Sequence, residues 1–207
     1  MLKRKAFTIA EVLISLVIIG VVAAITIPVV SMNAQKKKTV VQLRKAYSVI
    51  YNAYNLSISF NGPIQTWEFG KNTYDWNTSR KFLEKYLIPY LQVSSDFKYK
   101  VGAAAPDQFV FLDGTVLNAD VREASADLII DLNGNRKPNR RGRDIFVIRL
   151  SKTPNYKEFG FAGAVYKRNG MINNAHGCSH NVAGNKYTYC GALIQADNWQ
   201  IKDDYPW

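Results

Sequence analysis

The sequence predicts an α+β chain, with one long N-terminal helix packed on an antiparallel sheet of about four strands. Three observations predict it. The run from Phe7 to Val30 is apolar but for one charge, and a helical stripe continues it to about Phe60. The middle of the chain then changes period, to short β-rich runs separated by turns. The composition, 47% hydrophobic and 13% aromatic, lets the part after Val30 bury a core of its own and excludes a disordered chain.

The first element, Phe7 to Val30, holds 24 residues. As a helix it would be ~36 Å long, enough for a hydrocarbon core of ~30 Å. The cations Lys3, Arg4 and Lys5 precede it and predict a cytoplasmic N-terminus. A secretory signal peptide has a shorter apolar region, of ~7–15 residues, and ends in a cleavage site of small residues. A plain single-span anchor accounts for everything except Glu11. An ionised carboxylate in hydrocarbon costs ~2.5–3.5 kcal/mol even on lenient insertion scales, so Glu11 needs a function and a partner. A cut between Ala6 and Phe7 would create an α-amino group four residues before Glu11. That amine, in the same chain or a neighbour, is the natural cation for the acid.

The stretch "KAFTIAEVLISLVIIGVVAAITIPVV" resembles the N-terminus of type IV pilins and of the pseudopilins of type II secretion. The resemblance rests on Phe7, Thr8, Glu11, Leu13 and Ile14, with Gly20 and Pro28 at the helix-weakening positions. It implies a pilin-like fold. It further implies that a prepilin peptidase removes a basic leader between Ala6 and Phe7 and methylates the new amine. Glu11 would then dock the subunit by neutralising a neighbour's terminal amine, and no cofactor is expected. Ala6 stands where the family has glycine, and alanine is the nearest in size. Glycine loosens a helix by ~1 kcal/mol and an interior proline by ~3 kcal/mol, so Gly20 and Pro28 would let this region extend. The implied organisation is a leader at 1–6, a transmembrane and filament-core helix at 7–30, its amphipathic half at 31–60, and a globular head at 61–207. The implied partners are the peptidase, other subunits and copies of this chain, and the bacterial inner membrane. The head would lie in the periplasm and later on a pilus or pseudopilus.

After Pro28, Val40, Leu43, Tyr47, Ile50 and Tyr54 recur at helical steps and make one apolar stripe. Asn61-Gly62-Pro63 ends the helix, which is expected to break or kink near Pro28. "TSRKFLEKYLIPYL" reads as a second helix, capped by Thr78 or Ser79, apolar at Phe82, Leu83, Tyr86 and Leu87, and stopped by Pro89. "QFVFLDGTVLNA" reads as a hairpin with a two-residue turn at Asp113-Gly114. "ADLIIDL" and "DIFVIRL" supply two more strands around the loop "NGNRKPNRRGR". Trp199, Tyr205 and Trp207 are expected to pack the tail on the head.

The net charge of +11 suits an anionic membrane surface or nucleic acid, and charge alone does not choose. In the loop, Asp131, Asn133, Asn135 and Asp144 are oxygen donors of the kind calcium takes, and some major pseudopilins hold calcium in such a loop. Arg136 and Gly142 break the EF-hand pattern, and the neighbouring cations oppose a divalent ion. The alternative is a turn whose Asp and Asn side chains bond the backbone. Arg140, Arg141 and Arg143 are candidate phosphate contacts for nucleic acid, without the interleaved aromatics that stack bases.

His176, Cys178, His180 and Cys190 are all zinc-ligand types, at a spacing that matches no zinc finger. In a head outside the cytoplasm, a disulfide between Cys178 and Cys190 is the better reading. No nucleophile elbow, H-E-x-x-H pair or phosphate-cradling glycine loop is present, and the expectation is that the protein is not an enzyme.

Overall fold

The structure is a computed structural model that describes residues 8–70, 75–99, 108–134, 136–180 and 186–207. Its contacts fall into two compact units, residues 1–38 and 39–207. Helix α1, Ile9–Asn61, begins in the first unit and ends in the second.

In the first unit the large apolar side chains from Ile9 to Met32 are exposed. α1 is continuous through Pro28, where a break or kink was expected. In the second unit the predicted stripe is the buried face. Leu43 and Ile50 are fully buried, Tyr54 nearly so, and Val40 and Tyr47 pack against the same core. Ala46, Ala53 and Ser57 are small residues buried on the same face. The helix stops at Asn61, where the Gly62 N–H bonds Ile58 O at 3.0 Å. Asn61 Nδ2 then donates to Tyr90 Oη at 3.1 Å, and Trp67 Nε1 to Gly62 O at 2.9 Å.

Helix α2, Trp76–Tyr86, starts earlier than the sequence suggested. Its cap is Asp75, not Thr78 or Ser79. The Asp75 carboxylate accepts from Asn77 N at 3.1 Å and from the Thr78 hydroxyl, so Thr78 is spent inside the first turn. Ser79 is buried and accepts from Val121 N at 3.2 Å, which ties the helix to the sheet. Phe82, Leu83, Tyr86 and Leu87 are buried, and a 3₁₀ turn over Ile88–Tyr90 contains Pro89.

The sheet has six strands rather than about four, all antiparallel and in chain order: β1 Val93–Tyr99, β2 Gln108–Phe111, β3 Val116–Val121, β4 Ser125–Asp131, β5 Ile145–Ser151 and β6 Phe159–Phe161. The four central runs are those read from the sequence, and the two additions are the edges. The β2–β3 turn has three residues, not two. Phe111 N bonds Thr115 O at 2.8 Å, and Gly114 N bonds Phe111 O at 2.9 Å. Only Gly114 takes positive φ, at 85°, while Asp113 accepts from Thr115 N at 3.0 Å. This is a type I turn with a glycine bulge, where a two-residue type I′ turn would need both residues left-handed.

Alternation sorts the strands into two faces. Leu117, Ala119, Val121, Ala126, Leu128, Ile130, Phe146, Ile148 and Leu150 form the core face. Phe159 and Phe161 continue it on β6, beside Leu150 and Ile148. Tyr47 of α1 stacks on Phe161 at 4.7 Å and meets Phe159 edge-on at 5.3 Å, so this face packs against the helix. Helices α3, Arg168–Asn173, and α4, Cys190–Ala196, follow the sheet.

Candidate assembly site

The polar side chains between Ile9 and Val30 are Glu11, Ser15 and Thr26; the two hydroxyls bond within the helix, and Glu11 bonds at its start. Ser15 Oγ donates to Glu11 O at 2.7 Å, and Thr26 Oγ1 to Val22 O at 2.9 Å. Such back-bonding hides hydroxyls where lipid offers no partner. Glu11 closes a capping box with Thr8. Thr8 N and Thr8 Oγ1 both donate to Glu11 Oε2, at 2.8 and 2.9 Å, and Glu11 N donates back to Thr8 Oγ1 at 3.2 Å. Among the described residues both bonds to the carboxylate fall on Oε2, the oxygen that holds the helix start. The signal for this box, Thr8-x-x-Glu11, stood in the sequence and was missed. Gly20 lies in the exposed part of the helix, where an added Cβ would meet nothing within 4 Å, and Pro28 is internal to it. Ala6 and Phe7 lie outside the described residues.

In the head, the loop between β4 and β5 is organised around Asp144. This nearly buried carboxylate accepts from Arg140 N at 2.6 Å, Asn139 N at 2.7 Å and Asn133 Nδ2 at 3.2 Å. Asp131 accepts from Asn133 N at 3.1 Å. These oxygens bond backbone and amide donors, as the turn reading of the loop expects. Among the described residues no cluster of three His, Cys, Asp or Glu side chains could hold a metal, and Asn135 lies outside them. Burial, and to a lesser degree the charge of Asp144, push the Asp131 carboxyl up to about 6 against the pull of the Asn133 N–H. The arginines of the loop diverge in their contacts. Arg143 lies over the Trp207 ring at 5.3 Å, and Arg141 Nη1 donates to Thr188 Oγ1 at 3.3 Å.

Cys178 and Cys190 form a disulfide, with Cα atoms 4.8 Å apart, so the zinc alternative loses its two thiolates. His180 Nδ1 pairs with Tyr187 Oη at 3.1 Å. The disulfide brings the cysteine corner to the basic loop. A Cβ on Gly142 would stand 2.8 Å from Cys190 Sγ, and Gly142 has φ of 82°, so both space and conformation require glycine there. Tyr205 is buried and donates its hydroxyl to Gly142 O. Tail, loop and disulfide therefore meet at one point.

The outer face of the sheet carries a polar row that sequence reading did not single out. Asp120 of β3, Asp127 of β4, Arg149 of β5 and Gly160 of β6 stand side by side in register. Arg149 grips Asp127 with two bonds, of 2.6 and 2.7 Å, and Arg122 Nη2 holds Asp120 at 2.7 Å. The trace in the sequence was weak: single charges at alternate positions of otherwise apolar runs.

Residues 1–27 match the prokaryotic N-terminal methylation motif. The motif, at the head of a helix long and apolar enough to cross a membrane, makes this a pilin-type subunit of the type IV pilin and pseudopilin class. Over residues 30–207 the chain belongs to a family described as a family of unknown function (DUF6613). No curated protein and no solved structure matches the chain.

Proposed function

We propose that the protein is a pseudopilin or minor pilin, a structural subunit of a type II secretion or type IV pilus filament. In this reading prepilin peptidase cuts between Ala6 and Phe7 and methylates the Phe7 amine. The N-terminus starts in the cytoplasm, residues 7–30 first span the inner membrane, and the head stands in the periplasm. The same helix then enters the filament, packing apolar surface against its neighbours. The observation that carries the reading is the methylation motif at residues 1–27 with the lone carboxylate Glu11 inside its apolar run. Glu11 Oε1 would accept from a neighbour's N-terminal amine while Oε2 keeps the cap on its own helix. An unpaired charge among apolar helices is costly, so this pair would also set the stagger of subunits.

The test is the mass of the mature N-terminal peptide from cells that carry the matching peptidase. A peptide that starts at Phe7 and is one methyl group heavier than its sequence supports the reading. An intact Met1 leader overturns it and leaves an ordinary anchored protein.

A further inference from the structure

The outer face of the sheet is the floor of a cleft of about 610 Å³, within the size range of small-molecule sites. The floor is the row Asp120, Asp127, Arg149 and Gly160, with Ile129 and Val147 beside it. The walls include Trp76, Tyr156, Tyr166 and Tyr189, together with Arg141, Lys157, Lys186 and His176.

The charges are not balanced. On the floor each acid has its arginine: Asp127 with Arg149, and Asp120 with Arg122. Arg141, Lys157 and Lys186 on the walls have no acid partner among the described residues. Burial, and then the charges of Lys186, Arg149 and Arg141, hold the His176 imidazole below the usual histidine range. Uncompensated cations gathered in one cleft make a favourable place for an anion. Tyr156 and Tyr166 present exposed rings to the cleft, and buried Tyr189 backs them, 5.5 Å from the Tyr166 ring and 5.9 Å from His176. Gly160 contributes no side chain, and this keeps the floor open. A Cβ there would meet nothing closer than 3.7 Å.

We infer that this cleft binds an oxyanion-bearing sugar, its carboxylate or phosphate among Arg141, Lys186 and His176 and its ring against the tyrosines. Three features favour a sugar over the other polyanions. The floor acids are already held by Arg122 and Arg149, and the cations left over, Arg141, Lys157 and Lys186, suit one anionic group rather than a run of phosphates. The cleft lies on the face of the sheet, whereas extended peptides add to a sheet edge. The apolar CH faces of a sugar ring match the exposed rings of Tyr156 and Tyr166. The site does not depend on the filament reading, since every group in it belongs to the head.

The experiment is a titration of the full chain in detergent micelles, by calorimetry and by NMR of the His176 ring protons. The probes are trigalacturonate, mannose 6-phosphate, an uncharged galactose trisaccharide, oligothymidylate and triglutamate. We expect one or both anionic sugars to bind at least tenfold more tightly than the neutral sugar, oligothymidylate and triglutamate. We also expect the His176 pKa to rise in the complex. Lys186→Ala and Arg141→Ala are each expected to weaken binding fivefold or more, and Gly160→Leu, which fills the floor, to abolish it. The first two lie at the surface, so they report even where Gly160→Leu does not fold. Equal binding of the neutral sugar, tighter binding of oligothymidylate or triglutamate, no binding of any probe, or binding unchanged in Lys186→Ala and Arg141→Ala each overturns the inference.

Discussion

Glu11 serves two purposes that one substitution can separate. Its Oε2 completes a capping box with Thr8, and its charge is available for a second partner. Glutamine at the same position keeps the box but loses the charge, and alanine loses both. If the charge docks the subunit, Glu11→Gln and Glu11→Ala are both cleaved normally and both depleted from sheared filaments by at least tenfold. Recovery of Glu11→Gln to wild-type levels would leave only the cap. Asp131 carries a second prediction at this scale. Its carboxyl, raised from 3.8 to about 6, binds its proton more tightly in the folded chain than in the unfolded one. Stability therefore falls as pH rises from about 4 to about 6, and ionised Asp131 costs stability at pH 7. Asp131→Asn keeps the acceptor for Asn133 N. It should stabilise the head by about 1 kcal/mol at pH 7, after solvent screening of a half-buried group, and flatten the profile from pH 4 to 6. Urea midpoints across that range, for both proteins, check the sign.

Elements with strong local periods were legible, and those held by their neighbours were not. The stripe from Val40 to Tyr54 repeats every turn, so its buried face could be read off residue by residue. β6 is three residues, "FGF", too short to show any period. It is a strand because Phe159 and Phe161 are claimed by the tyrosines of α1 and its backbone by β5. β1, "VSSDFKY", is polar along most of its length and exists as a strand because β2 offers it an edge. The C-terminal helices depend in the same way on a contact far apart in sequence. Arg168 of α3 donates to Asp197 at 2.8 and 2.9 Å and to Asp204 at 2.8 and 2.9 Å. Lys202 adds a second cation, bonding Asp197 at 2.7 Å. Arg168→Ala would leave the buried Asp197 to Lys202 alone and should cost about 1–3 kcal/mol. Arg168→Lys should recover less than half, because an ammonium cannot span both carboxylates. Thermal melts of the two variants measure the difference.

At the scale of the whole molecule, the disulfide joins residues 12 apart in sequence and fastens α4 beside the basic loop and the tail. Chain-entropy reasoning assigns a loop of that size ~3 kcal/mol. The double variant Cys178→Ala, Cys190→Ala should lower unfolding stability by about 2–4 kcal/mol, read from urea midpoints at constant slope. It should also release the tail, seen as faster amide exchange at Tyr205. A double variant as stable as the wild type would show that packing around Gly142 is enough without the bond.

The sequence by itself determined the apolar helix, its motif, the stripe that buries α1, the central strands and the helix stop. All of these are patterns within one turn or one strand, where neighbours in the chain are neighbours in space. Only the tertiary structure decided that Asp120, Asp127 and Arg149 stand in one row, that Arg141 and Lys186 share a cleft, and that Gly142 lies against the disulfide. The physical reason is register. A one-residue slip of any central strand would turn its charged side chain to the other face, and register is set by core packing and turns rather than by the charged residue itself.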